Sequence, residues 1–283
     1  MRKGTLLAAA AAFLWAAIII LTKFIIRAGD NPLNVIFWLT ILATPFWIGL
    51  LFSKKAEVKK MRKKDFQTLL LIGLVGPLLG AIVEIFALKY TQATNFSFLI
   101  RSSLLFTIVF AALFLGERVT KKKLTIATLI LIGAYLIATS GKIIHLSLGD
   151  GLTLLEAALI AFGNTILGKI AIKTMSSQLS AAGSFLVSVL PVTVLTFATN
   201  SFAVPHAVGL ILILTVVEIV SVLNRFNAYK YCSASFLAMT YSATPVIVTV
   251  FAFFLLGEQL SLIQIIGGLL IVSGGVYAEK IKI

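Results

Sequence analysis

The sequence predicts an all-α polytopic membrane protein of about ten transmembrane helices, arranged as two inverted five-helix repeats. Composition, the spacing of apolar runs and an ending written twice carry that prediction. The 283-residue chain is 60% hydrophobic and 12% charged, with mean hydropathy +1.08, against roughly 45–50% apolar and 25% charged in soluble domains. A hydrocarbon core of about 30 Å needs about 20 apolar residues per helix, so most of the chain is available to spans.

The spans follow in order, with edges uncertain by a few residues. Span one, 4–27, follows a basic start; a cleaved signal peptide is disfavoured because the apolar stretch runs on to Ile26 and further spans follow. Span two, 33–52, carries Pro45 and is followed by KKAEVKKMRKKD, 54–65, too charged for hydrocarbon. Span three, 67–90, contains Gly73, Gly76, Pro77 and Gly80, where a bend is expected because proline removes a backbone hydrogen bond. Span four, 93–115, ends in FAALFLGERV, and span five covers 124–141. Spans six, 150–172, and seven, 181–200, hold Glu156, Asn164 and Pro191. Span eight, 206–230, contains Glu218 and Arg225; span nine, 233–256, holds Thr244-Pro245 and ends in FAFFLLGEQL; span ten is 262–280. Its GGLLIVSGG segment, 267–275, predicts close helix packing and, as a second reading, a homodimer contact.

The formal charge of +14 is topological. With the N-terminus inside, Arg2, Lys3, the 54–64 basic run, Arg118, Lys121, Lys122, Lys123, Lys173, Lys280 and Lys282 fall on one face, while Arg27, Lys89 and Lys142 fall on the other. Positive residues near short loops stay cytoplasmic, so both termini are expected in the cytoplasm of a cell (plasma or inner) membrane protein. The lipid bilayer is a partner, and nucleic acid is not needed to explain the high pI. The lone Cys232 excludes an intrachain disulfide. His145 and His206 fall in outer loops without metal-ligand spacing, and no Walker-type phosphate loop occurs. No enzyme chemistry, metal or cofactor is expected.

Gly116-Glu117 recurs as Gly257-Glu258 at a shift of 141, which also matches Lys89-Tyr90 to Lys230-Tyr231 and Gly133 to Gly274. Earlier in the copy the shift is 146, pairing Lys23 with Lys169 and Pro45 with Pro191. The boundary between copies falls at 145/146. Five spans is an odd number, so residues 146–283 enter the membrane with orientation opposite to residues 1–145. In such architecture, substrate sites lie near the midplane between halves and access alternates by rocking.

The segments FLGERVTKKKLTIATLILIGAYLI and LLGEQLSLIQIIGGLLIVSGGVY, the Ala-Leu-Lys-Tyr and Ala-Tyr-Lys-Tyr stretches and Thr244-Pro245 resemble the drug/metabolite transporter superfamily, specifically its EamA-domain members. One departure is Ser103-Leu104, where the second copy has Thr244-Pro245. The resemblance implies a secondary carrier or exporter of small metabolites, amino acids first, with a central cavity lined by spans one, three, four, six, eight and nine, and spans five and ten peripheral. A lipid-carrier flippase or a non-transporting scaffold of the same fold is the alternative.

Ionisable residues in hydrocarbon are costly and tend to face water or one another. Glu218 lies near the middle of span eight, and Arg225, two turns on, shares its face; the two line one wall or form an ion pair. Glu84 and Arg101 match in depth on adjacent antiparallel helices and form an outer gate, zwitterion clamp or staple. Glu156 lies at similar depth and competes for Arg101. Asn164 and Tyr241 complete the expected pathway, with Pro77 and Pro245 as hinges. Lys23 and Lys169, near span ends, are expected to snorkel to headgroups.

Overall fold

The computed structural model describes residues 2–116, 118–139, 147–232, 237, 240–241, 244–259 and 261–280. Among them the secondary structure is helical: α1 (Arg2–Arg27), α2 (Pro32–Ser53), α3 (Lys63–Tyr90), α4 (Ala93–Leu115), α5 (Lys121–Thr139), α6 (Leu148–Ala171), α7 (Ser177–Ala198), α8 (Val208–Ala228), α9 (Thr244–Leu256) and α10 (Leu262–Lys280), with one extra turn at Lys55–Val58. Seven of these, α1 to α4 and α6 to α8, are long and apolar enough to cross a membrane, and α9 and α10 contain shorter apolar helices. The protein is therefore a multi-pass membrane protein. Glu117, Lys142, His145 and Lys282 lie outside the described residues, as does the 145/146 boundary.

Short polar signals start the helices. Asn31 Oδ1 accepts the Leu33 N–H ahead of Pro32 at the first position of α2. Ser147 and Asp150 exchange side-chain and backbone hydrogen bonds at α6, and Ser261 and Gln264 do the same at α10. Such reciprocal caps satisfy backbone N–H groups that a helix leaves orphaned. Glycine ends two of them: Gly116 (φ +71°) after α4 and Gly257 (φ +66°) after α9, conformations that any Cβ would strain.

Two helices, α3 and α6, are wound as π turns at their centres, over Leu74–Gly80, which includes Pro77, and Ile160–Leu167; such turns occur mostly at functional sites. They cross where glycine removes bulk: a Cβ on Gly163 would stand 2.7 Å from Val75 Cγ1, and one on Gly76 would collide with Asn164 Oδ1. Pro45 and Pro191 instead sit inside unbroken α-helix.

The helices pack mainly as α1 on α8, α2 on α7, α3 on α6 and α7, α4 on α6 and α5 on α10, with smaller contacts of α9 on α1 and α4. Large apolar side chains such as Leu113, Phe114, Leu190, Phe254 and Leu269 cover the outside, while Ser97, Thr107, Ser180 and Ser184 are buried. That is the inside-out polarity suited to lipid. The α5–α10 pair lies at the edge. Gly133 abuts Gly267 and Ile271, and Gly274 abuts Ile130 and Ile126. Gly267, Gly268 and Gly274 of GGLLIVSGG thus pack against α5 and α4 of the same chain, Gly268 meeting Phe98.

Lys23 and Lys169 do not snorkel. Lys23 Nζ donates to Leu88 O and Thr91 O, both at 2.5 Å, at the end of α3, and is 8% exposed. Lys169 Nζ donates to Tyr229 O and Cys232 O, both at 2.6 Å, at the end of α8. Cationic donors suit these last carbonyls, which have no partner within the helix and carry its negative dipole end. Glu258 accepts the Ala93 and Thr94 N–H groups at 3.0 Å and the Thr94 hydroxyl at 2.8 Å at the start of α4, with Arg27 3.8 Å away.

Candidate functional site: a charged central cavity

A cavity of about 120 Å³ opens between the two halves of the chain. Its walls come from Trp15 and Thr22 of α1, Thr40 of α2, the Gly76-Pro77 turn and Glu84 of α3, Glu156 and Asn164 of α6, Ser184 of α7, and Glu218, Ser221 and Arg225 of α8. An adjoining space of about 70 Å³ shares Trp15, Glu84, Glu156, Asn164, Ser221 and Arg225 with it and adds Arg101, Thr107, Tyr229 and Tyr241. Polar, roomy cavities of this size hold water.

Every residue singled out as a substrate-pathway candidate lines one space or both. Pro77 lines the first as well. Pro245 is buried in the first turn of the described α9 and lines neither. Spans one, three, four, six, eight and nine each contribute lining residues, span nine through Leu237 and Tyr241, and α2 and α7 join them. Their lining residues, Thr40 and Ser184 among them, are uncharged, so a search for intramembrane charge passes over them.

The pairing expected of the charges differs. No nitrogen of Arg101 or Arg225 lies within 4.0 Å of an oxygen of Glu84, Glu156 or Glu218. Arg101 instead donates from Nη1 to the Tyr241 carbonyl at 2.6 Å. Its guanidinium carbon stands 4.8 Å from the Trp15 ring centre and 5.8 Å from that of Tyr241. The cause is local: Ile100–Ser102 is a tighter 3₁₀ turn within α4, which rotates Arg101 away from the face a regular helix would give it. Arg101 is 4% exposed, yet its Nε and Nη2 have no partner; Oε2 of Glu156, which is 2% exposed, and Oε1 of Glu84 are likewise unpartnered.

Two positioning contacts were not anticipated. The buried Tyr229 hydroxyl donates to the Asn164 main-chain carbonyl at 2.5 Å, inside the π turns of α6, and its ring fills the space left by Gly168. Trp15 stands edge-on to Tyr241 at 5.4 Å, closing one side of the cavity. Glycine and asparagine in AFGNTILGK were the available signal for the first; aromatic pairing across helices leaves none. Among the described residues, no group of three or more His, Cys, Asp or Glu side chains could hold a metal ion.

A helical membrane bundle with a charged internal cavity is the architecture of a transporter, and the family match agrees. The EamA-like transporter family model matches residues 2–139 and again 148–277, so the chain belongs to that family. It is 27% identical to an uncharacterized transporter of Archaeoglobus fulgidus, over 99% of this chain and 98% of that one. It is 23% identical to the pseudopaline exporter CntI of Pseudomonas aeruginosa, over 100% and 98%. A solved crystal structure shares the fold with a TM-score of 0.69 at 17% identity, covering 100% of this chain and 98% of that one.

Proposed function

We propose that this membrane transporter is a ten-span secondary exporter of small polar or amphipathic metabolites, amino acids first, working by alternating access between inverted halves 1–145 and 146–283. Both termini lie in the cytoplasm and the protein sits in the cell membrane. It catalyses no chemical reaction.

The observation that carries the reading is the set of buried, unpartnered charges on one cavity wall after another, contributed by both halves. Removing the partner of a buried charge typically costs about 3–5 kcal/mol. A bundle built only to pack would pair these groups or replace them with apolar ones. Leaving them open makes sense if a polar solute completes them.

Several contacts support the repeat. Lys169 stands 146 residues after Lys23, and its two acceptors stand 141 after those of Lys23. On the α5–α10 pair, shifting Gly133, Ile126 and Ile130 by 141 gives Gly274, Gly267 and Ile271, the very residues they meet. The α1–α8 and α3–α6 pairs are images of each other under the same exchange. The exporter relative favours the outward direction.

The test is exchange in proteoliposomes preloaded with a mixed pool of amino acids and other small metabolites. Saturable exchange that is lost in Glu218→Gln and Arg225→Ala is expected. Folded, correctly inserted protein that exchanges no member of the pool would overturn the reading.

A further inference from the structure

The cavity charges are unevenly distributed, and the distribution describes a ligand. Arg225 is the cation whose field reaches Glu84, Glu156 and Glu218 alike. Arg101 lines only the smaller space and Glu218 only the larger, so the two mark opposite ends of the continuous volume. Arg101 shares the smaller space with Glu84 and Glu156, but no carboxylate oxygen is an ion-pair or hydrogen-bond partner of its guanidinium, whose Nη1 donates to the Tyr241 carbonyl. Three acid side chains and two guanidinium groups line the joined spaces with no ion pair among them; counted in their charged forms, they carry one negative charge in excess.

The geometry at Arg101 narrows its partner. One Nη is taken by the Tyr241 carbonyl, and the guanidinium carbon lies 4.8 Å from the Trp15 ring centre and 5.8 Å from that of Tyr241. The unpartnered Nε and Nη2 lie side by side along one edge of the guanidinium plane. Two parallel N–H donors are the fork that a carboxylate accepts bidentately. A guanidinium stays protonated, so it cannot escape the burden of burial by losing its proton.

Resting on the transport reading above, we infer that the solute is a diamino acid: its carboxylate binds Arg101, and its two cationic groups are held among Glu84, Glu156 and Glu218. One carboxylate and two cations neutralise the residual charge. The combined volume suits a molecule of amino-acid size. Neutral amino acids leave one glutamate open, and diamines leave Arg101 open, so both bind more weakly.

The test is counterflow of labelled lysine in proteoliposomes of the full chain, with competition by ornithine, norleucine (which lacks the distal amine) and cadaverine (which lacks the carboxylate). Lysine exchanges and ornithine competes comparably, while norleucine and cadaverine compete about ten- to a hundred-fold more weakly, the scale of a lost charged hydrogen bond. In Glu218→Gln, whose exchange is lost, the preference is read from binding to the purified full chain, as the rise in melting temperature with each ligand, and the preference for lysine over norleucine falls toward unity. In Arg101→Gln the preference over cadaverine falls. Norleucine or cadaverine competing as well as lysine overturns the inference, as do variants that bind with both preferences intact. If either variant fails to fold, the wild-type competition series decides. Exchange of other metabolites without lysine sinks the diamino-acid inference and leaves the transport reading standing; no exchange of any pool member sinks that reading itself.

Discussion

Lys23 and Lys169 make the same contact at the ends of two different helices: each ammonium bridges two terminal carbonyls, Leu88 and Thr91 for the first, Tyr229 and Cys232 for the second. The first ties α1 to α3 and the second ties α6 to α8. Hydrogen bonds to charged groups are worth about 1.5–3 kcal/mol each, and a buried carbonyl left bare costs more than its bond contributed. Lys23→Met and Lys169→Met are therefore expected to lower thermal stability in detergent, measured by the loss of the monodisperse peak on heating. Unchanged stability in both would return these lysines to the headgroups.

The Glu258 contacts rank themselves. Its carboxylate is buried and holds three donors of Ala93 and Thr94, whereas Arg27 is 46% exposed and 3.8 Å away. Glu258→Ala should cost about 1–3 kcal/mol as a lost charged cap. Arg27→Ala loses an exposed ion pair and one part-buried bond to the Leu256 carbonyl and should cost less than Glu258→Ala. Reversed ranking in the same heating assay would contradict the assignment.

Small residues between α5 and α10 are required by contact. A Cβ on Gly133 would stand 2.6 Å from the Gly267 carbonyl, whereas one on Gly209 meets nothing within 4 Å. Gly133→Ala and Gly267→Ala are expected to destabilise by about 1–3 kcal/mol through overpacking, and Gly209→Ala to be neutral or slightly stabilising. Equal behaviour of the three would refute this packing.

The crossing of the two π segments couples two positions. Gly76→Ala drives its methyl into Asn164 and should weaken transport by moving that side chain within the cavity. Adding Asn164→Ala removes the collision, so the double variant should fold as stably as Asn164→Ala alone. A double-mutant cycle in stability, with interaction energies of roughly 0.5–3 kcal/mol for contacting residues, measures this. Additive effects would place the two apart.

Much of this was legible in the sequence, for physical reasons. Gly116/Gly257, Lys23/Lys169 and Gly133/Gly274 recur at fixed shifts in the sequence, and the two members of each pair make the same kind of turn or contact in the structure. Glu84, Arg101 and Glu156 line one common space, in keeping with their matched positions along neighbouring spans. Facing was not legible: π turns at 74–80 and 160–167 and the 3₁₀ turn at 100–102 reset the azimuth, so the ion pairs inferred from a uniform helix do not form. Thr40 and Ser184 were missed because an uncharged hydroxyl in an apolar span usually bonds its own backbone, as Ser184 does with Ala181.

The central claim is that a solute crosses through this cavity, reached in turn from both faces. Ser221 lines both spaces and Cys232 is the chain's single cysteine, so Ser221→Cys on a Cys232→Ala background gives one reporter thiol. The account predicts that a membrane-impermeant methanethiosulfonate reagent modifies it from either side of the membrane, that modification stops exchange, and that exchanged substrate slows the modification. A thiol reached from one face only, or modified without loss of exchange, would contradict it.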